Sequence, residues 1–143
     1  MSNFDTVRTI TDNIEAVLKR LGIHFSRKAF DDRKATPSSL LPLGRIFYSS
    51  ESFESSHGQR PVYAEVEYSI GVMLAEKDPW ETIREQQRWA HAIRGALTVE
   101  ALNTGELAAS MYVSRVTIAG VDAKNDRNRS SLTLRAIVRY RES

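Results

Sequence analysis

The stretch VYAEVEYSIGVMLAEKDPWETIREQQRWAHAIRGAL, residues 62–97, contains one long strand pattern followed by one long helix pattern. A period of two residues predicts a strand with one buried face. The apolar side chains of that face are Val62, Ala64, Val66, Tyr68, Ile70, Val72 and Leu74. Because the run is about twice the usual strand length, it predicts either a bend near Gly71, where a bulge is cheap, or an arm that projects beyond the domain.

A helix is predicted directly after this strand. Asp78 suits the N-cap, Pro79 suits the first helical position, and Glu81 stands where a capping box places its acidic residue. Helical spacing predicts an apolar face formed by Trp80, Ile83, Ala90, Ile93, Ala96 and Leu97. A strand and a helix that are each apolar on one side predict a two-layer α/β sandwich.

The rest of the chain completes the predicted fold. An amphipathic helix pattern spans Phe4–Leu21 and ends at Gly22, a residue suited to a left-handed cap. Further strand patterns occupy residues 23–30, 45–53, 111–121 and 132–141. We therefore predict a single α+β domain over residues 1–143, with two main helices on a mostly antiparallel sheet of about five strands, in the order α-β-β-β-α-β-β. A long polar loop is predicted at about residues 49–61.

Composition restricts the class of protein. The chain has 143 residues and a net charge of +2, with 20 Lys plus Arg against 18 Asp plus Glu, so these totals do not argue for nucleic-acid binding. The absence of cysteine excludes disulfides and thiolate metal sites. No apolar run is long enough to span a membrane, and the first five residues lack the plan of a signal peptide, which predicts a protein made in the cytoplasm.

The ionisable residues form no recognisable catalytic arrangement. His24, His57 and His91 have no partners at metal-ligand spacing. Glu65 and Glu67 share a strand face, but that face is predicted to point away from the core, where a solvated or intersubunit surface is expected. We therefore predict no enzyme activity, no metal and no cofactor.

The order of these patterns resembles the tail terminator, or tail completion, proteins of long-tailed bacteriophages. The likeness covers nearly the whole chain, and the segments that carry it are Phe4–Leu21, LPLGRIFY at residues 41–48, Val62–Ala75, the helix from Asp78, Met111–Val121 and Leu132–Arg141. The resemblance implies a homohexameric ring in the virion, at the head-proximal end of the tail, assembled in the host cytoplasm. Such a ring ends tube polymerisation and joins the tail to the head. The implied partners are the tail tube protein and a neck or head-completion protein, and DNA only passes through the lumen.

Two groups of residues are the candidates for assembly contacts. The polar segment is interpreted either as a surface loop or as a segment that orders against the tube or a neighbouring subunit. Its candidate contacts are Ser49, Ser50, Glu51, Phe53, Glu54, His57 and Arg60. The candidates for a lumen or neck contact are Lys124, Arg127 and Arg129.

Two other functions remain open from the sequence. One is a neck or head-completion adaptor of similar size. The other is a small nucleic-acid-binding α/β module that uses the outer face of the last strand, where Arg135, Arg139 and Arg141 lie on one side.

Overall fold

The computed structural model describes residues 2–25, 41–54, 62–75, 77–108, 111–126 and 129–142, and only the backbone of Asp126 and Arg129. The elements follow the order α1 (Asn3–Arg20), β1 (His24–Phe25), β2 (Leu43–Phe53), β3 (Tyr63–Leu74), α2 (Pro79–Ala96), α3 (Val99–Leu102), a short 3-10 helix (Gly105–Leu107), β4 (Val113–Asp126) and β5 (Arg129–Arg141). The predicted α+β class, the five strands and their order are thereby confirmed.

All five strands belong to one sheet, in the spatial order β1-β2-β3-β5-β4. The two residues of β1 pair in parallel with the first two residues of β2, and every other pairing is antiparallel. The pairing of β3 with β5 is continuous from Tyr63 to Leu74, so no bulge occurs at Gly71. The irregularities lie in the neighbouring strands instead, at Ser49 of β2 and at two positions of β4.

The hydrophobic core lies between one face of this sheet and the helices. The inward residues of β3 alternate as predicted, and the buried ones are Ala64, Val66, Tyr68, Ile70, Val72 and Leu74. The matching residues of β5 are Leu132, Leu134, Ala136, Val138 and Tyr140. Ile10, Ile14 and Leu18 of α1 and Ile93 of α2 complete the core from the helix side.

Both main helices begin with a side-chain cap, and the N-cap predicted at Asp78 is confirmed. Ser2 and Asp5 form a capping box at the start of α1, and the Asp78 side chain accepts the backbone N–H groups of Trp80 and Glu81 at the start of α2. Gly22, directly after α1, has φ +98°, a conformation that glycine adopts without strain.

The buried face of α2 differs from the predicted one. Trp80 and Ile83 are 73% and 43% exposed, whereas Thr82, Gln86 and Ile93 are buried. The helix is therefore rotated so that part of its apolar surface faces solvent and a glutamine faces the sheet.

Strand pairing extends into two polar segments. β2 ends at Phe53, as the predicted strand 45–53 does, so residues 49–53, which were also assigned to the polar loop, belong to the strand, while residues 55–61 lie outside the described residues. The charged segment between the last two strands is likewise mostly paired, because β4 extends to Asp126 and β5 begins at Arg129.

Candidate assembly surfaces

The distal half of β2, residues 48–53, carries most of the predicted assembly contacts. Ser49, Ser50, Glu51 and Phe53 lie in the strand and Glu54 follows it. The predicted contacts His57 and Arg60 lie outside the described residues. Within the part of the chain that the structure describes, residues 46–53 pair with β3 on one side and with no strand on the other.

A bulge decides which side chains of this segment face the helices. The register of β2 shifts between Tyr48 and Ser50, so Glu51 is opposite the buried Val66 and Phe53 is opposite the buried Ala64. If Ser49 were paired in regular alternation instead of being bulged, Glu51 would point to the other face of the sheet. The sequence contains no local signal for this bulge.

The carboxylate of Glu51 is held by two tyrosines. The Tyr48 hydroxyl donates to one carboxylate oxygen at 2.5 Å, and the Tyr140 hydroxyl donates to the other. Burial, and then the hydrogen bond to Glu51, raise the pKa of Tyr140, while the hydrogen bond to Glu51 is the main cause that raises the pKa of Tyr48. Both phenols therefore stay protonated donors, and Glu51 fixes the distal half of β2 over the core.

A groove of about 620 Å³ lies between α1 and the distal half of β2; we call it the β2 groove. Its lining residues are Asn3, Phe4, Val7, Arg8, Thr11, Asp12, Tyr48, Glu51 and Phe53. Its three aromatic side chains are largely exposed: Phe4 at 73%, Tyr48 at 59% and Phe53 at 59%. Exposed aromatic side chains gathered at one place are typical of an interaction surface.

A second groove, of about 350 Å³, lies at the opposite edge of the sheet, between α2 and β4; we call it the β4 groove. Its lining residues are Ile83, Gln86, Gln87, Ala90, His91, Arg94, Val121, Ala123 and Leu132. Val121 is 45% exposed although it points to the helix side of the sheet, because α2 does not cover the end of β4. The rotation of α2 thus leaves the β4 groove open beside an edge strand.

Two buried amides position β4. The Asn103 side chain donates to the Val113 carbonyl and accepts from the Val113 N–H, each at 2.8 Å, so it replaces a neighbouring strand at the start of β4. At the other end, Gln86 Nε2 lies 3.1 Å from Ser130 Oγ and 3.2 Å from Asn125 Oδ1. Sequence reasoning missed both residues, and the only available signal was a polar residue at a core position of α2.

The outer face of the sheet, opposite the helices, carries a row of ion pairs. Arg115 pairs with Glu65 at 2.9 Å, Arg135 with Glu67 at 2.9 Å, and Arg139 with Glu54 at 3.2 Å. The Arg139 guanidinium also lies 4.4 Å from the centre of the Tyr63 ring. The arginines that made the last strand look basic in the sequence are therefore largely matched by carboxylates.

The structure describes the three residues predicted for a lumen or neck contact to different extents. Lys124 is exposed and lies on β4, beyond Val121, where the sequence pattern predicted that this strand ends. Arg127 lies outside the described residues, and Arg129 is the first residue of β5, with its side chain outside the description. Lys124 is therefore the one residue of the three whose side chain the structure describes.

Among the described residues, no group of three or more His, Asp or Glu side chains is arranged to hold a metal ion. No helix in the described ranges combines the length and apolar character needed to cross a bilayer. No protein-family model matches the sequence, and no curated protein matches it either.

Proposed function

We propose that this chain is a structural virion protein that forms a ring on the end of a bacteriophage tail tube, ends tube polymerisation and joins the tail to the head. The proposal starts from the resemblance in layout, to which the α+β fold and its element order conform. Assembly, rather than chemistry, is the role that the exposed features of the described residues support best.

The observation that carries the proposal is the accumulation of exposed apolar side chains at the two edges of one sheet. Phe4, Tyr48 and Phe53 are exposed at the β2 edge, and Ile83 and Val121 at the β4 edge. A monomer of this size gains nothing from keeping such side chains in water, whereas a subunit with a neighbour on each side buries them. A ring gives every subunit two such neighbours.

The experiment is assembly with tail tube protein. Native mass spectrometry of the purified chain, alone and with tube protein, is expected to show a closed oligomer, and electron microscopy is expected to show it at one end of tubes that are shorter than those grown without it. A chain that remains monomeric and leaves tube length unchanged contradicts the proposal. Binding to a neck or portal complex without binding to tube protein assigns the chain to the adaptor class instead.

A further inference from the structure

The two edges of the sheet suit each other in strand direction. Because β2, β3, β5 and β4 are antiparallel in succession, β2 and β4 run in opposite directions. When a second copy is placed beside the first in the same orientation, its β2 edge meets the β4 edge of the first as an antiparallel neighbour. The sheet then continues from copy to copy with the helices on one side.

Each edge is covered at one end only, within the described residues. β1 occupies the first two residues of β2, and the Asn103 amide occupies Val113 at the start of β4. This leaves residues 46–53 of β2 and 115–126 of β4 with an outward edge that no described strand pairs. Unpaired N–H and C=O groups along an extended strand are a template for another strand.

The side chains at the two edges also complement each other in shape. On the helix side, the β2 edge presents the exposed rings of Tyr48 and Phe53, and the β4 edge presents an apolar groove with Val121 in its floor and Ile83 at its side. Through the pairings of β3 and β5, Phe53 lies level with Val113 and Tyr48 with Ile118, so two copies side by side without an offset do not bring the rings to the groove. An offset of about four residues along the strands sets Phe53 of one copy opposite Ile118 and Tyr48 opposite Ala123 of the next, on either side of Val121. The same offset moves β1 past the end of β4. Alternate side chains of an added strand are expected to enter such a groove.

The charged side chains of the β2 groove and the β4 groove also differ in sign. The charged residue of the β4 groove is Arg94, whereas the β2 groove contributes Asp12 and Glu51 beside one arginine, Arg8. Arg8 is paired with Asp5 at 3.5 Å, but neither Asp12 nor Arg94 has an ion-pair partner among the described residues. Opposite charges therefore meet when the two edges come together.

We propose that successive copies of this chain join head to tail, with the β2 edge of one copy paired to the β4 edge of the next and its aromatic side chains packed in the β4 groove. This inference rests on the proposed function, because it names the contact that would close the ring. The alternative in which two β4 edges pair symmetrically places groove against groove and leaves the aromatic side chains of β2 in water. A head-to-tail contact uses both the β2 edge and the β4 edge of every copy. It forms a ring when the rotation from one copy to the next, repeated, returns to the first copy.

Two arginine substitutions, one at each edge, test the contact. Phe53→Arg damages only the β2 edge and Val121→Arg only the β4 edge, and both positions are exposed enough for the monomer to fold. Each variant alone is expected to self-associate more than about a hundredfold more weakly than the wild type, because a charge is buried without a partner. Mixed together, the two variants are expected to form 1:1 dimers and nothing larger, since one intact β4 edge meets one intact β2 edge.

Ser52→Arg and Thr117→Arg are the matched controls. Both positions point to the outer face of the same strands, so these variants are expected to keep the wild-type assembly.

Sedimentation velocity and native mass spectrometry give the outcome. The inference is overturned if both variants assemble like the wild type, if the mixture stays monomeric, if only Val121→Arg loses assembly, or if the wild type is monomeric throughout. The proposed function is judged separately from tube binding by the wild type. Mixed dimers with no tube binding support the contact and refute the function, whereas capped tubes with normally assembling variants do the reverse.

Discussion

Asn103 joins α3 to β4 through both groups of its side-chain amide, which bond the N–H and C=O of Val113 at 2.8 Å. Both residues are buried. Asn103→Ala leaves two buried backbone groups without these partners, so we expect the free energy of unfolding to fall by about 2–4 kcal/mol. Urea unfolding measures this change. Glu100→Ala, at an exposed position of α3, is the control, and an Asn103 variant that unfolds at the same urea concentration as this control would refute the role of the amide.

A side-chain hydrogen bond could be predicted from the sequence only when its partners are close along the chain. The cap at Asp78 was predictable because a cap bonds backbone groups two or three residues away. The predicted buried face of α2 did not include Gln86, since its partners are about 40 positions later in the chain. A buried polar side chain is stable only when such partners exist, and the pattern of one helix does not contain them.

Strand β1 pairs with the beginning of β2, and Gly44 leaves room for the side chains of Ile23 and Phe25. A Cβ at Gly44 would lie 2.6 Å from Ile23 Cγ2 and 2.7 Å from Phe25 Cζ. We therefore expect Gly44→Ala to destabilise the fold by about 1–3 kcal/mol, the usual cost of overpacking a core. Gly71→Ala is the matched control in the neighbouring strand, where nothing lies within 4 Å of the added atom. Thermal unfolding compares them, and equal melting temperatures would show that β1 yields at no cost.

Predictability at the element scale was best where one face of an element is buried. The alternation in β3 predicted its inward residues because every second side chain enters the core. The same alternation predicted that the fourth strand ends at Val121, although β4 continues to Asp126. Both faces of that last part are exposed, so its side chains need not alternate between apolar and polar. The end of β4, which belongs to one of the two edges where assembly is proposed, was for this reason predicted less well than β3.

The molecule as a whole presents an outer sheet face on which three arginines are paired with glutamates, and this argues against the nucleic-acid-binding alternative. Arg135 and Arg139 each pair with a glutamate, Glu67 and Glu54 respectively. A phosphate has to displace these carboxylates before it gains the same contacts. We therefore expect the wild-type chain to bind duplex DNA weakly.

Removing the two carboxylates tests how far this pairing suppresses DNA binding. The double variant Glu54→Gln plus Glu67→Gln makes both arginines available to phosphates, so it is expected to bind duplex DNA more tightly and with a slope of log K against log salt that is steeper by about 1 to 2. Fluorescence anisotropy at several salt concentrations measures both quantities. Glu100→Gln plus Glu106→Gln makes the same change in net charge at exposed positions on the helical side of the chain. If that control gained the same affinity and slope, net charge rather than the pairing of the outer face would govern binding, and the face would have no part in excluding nucleic acid.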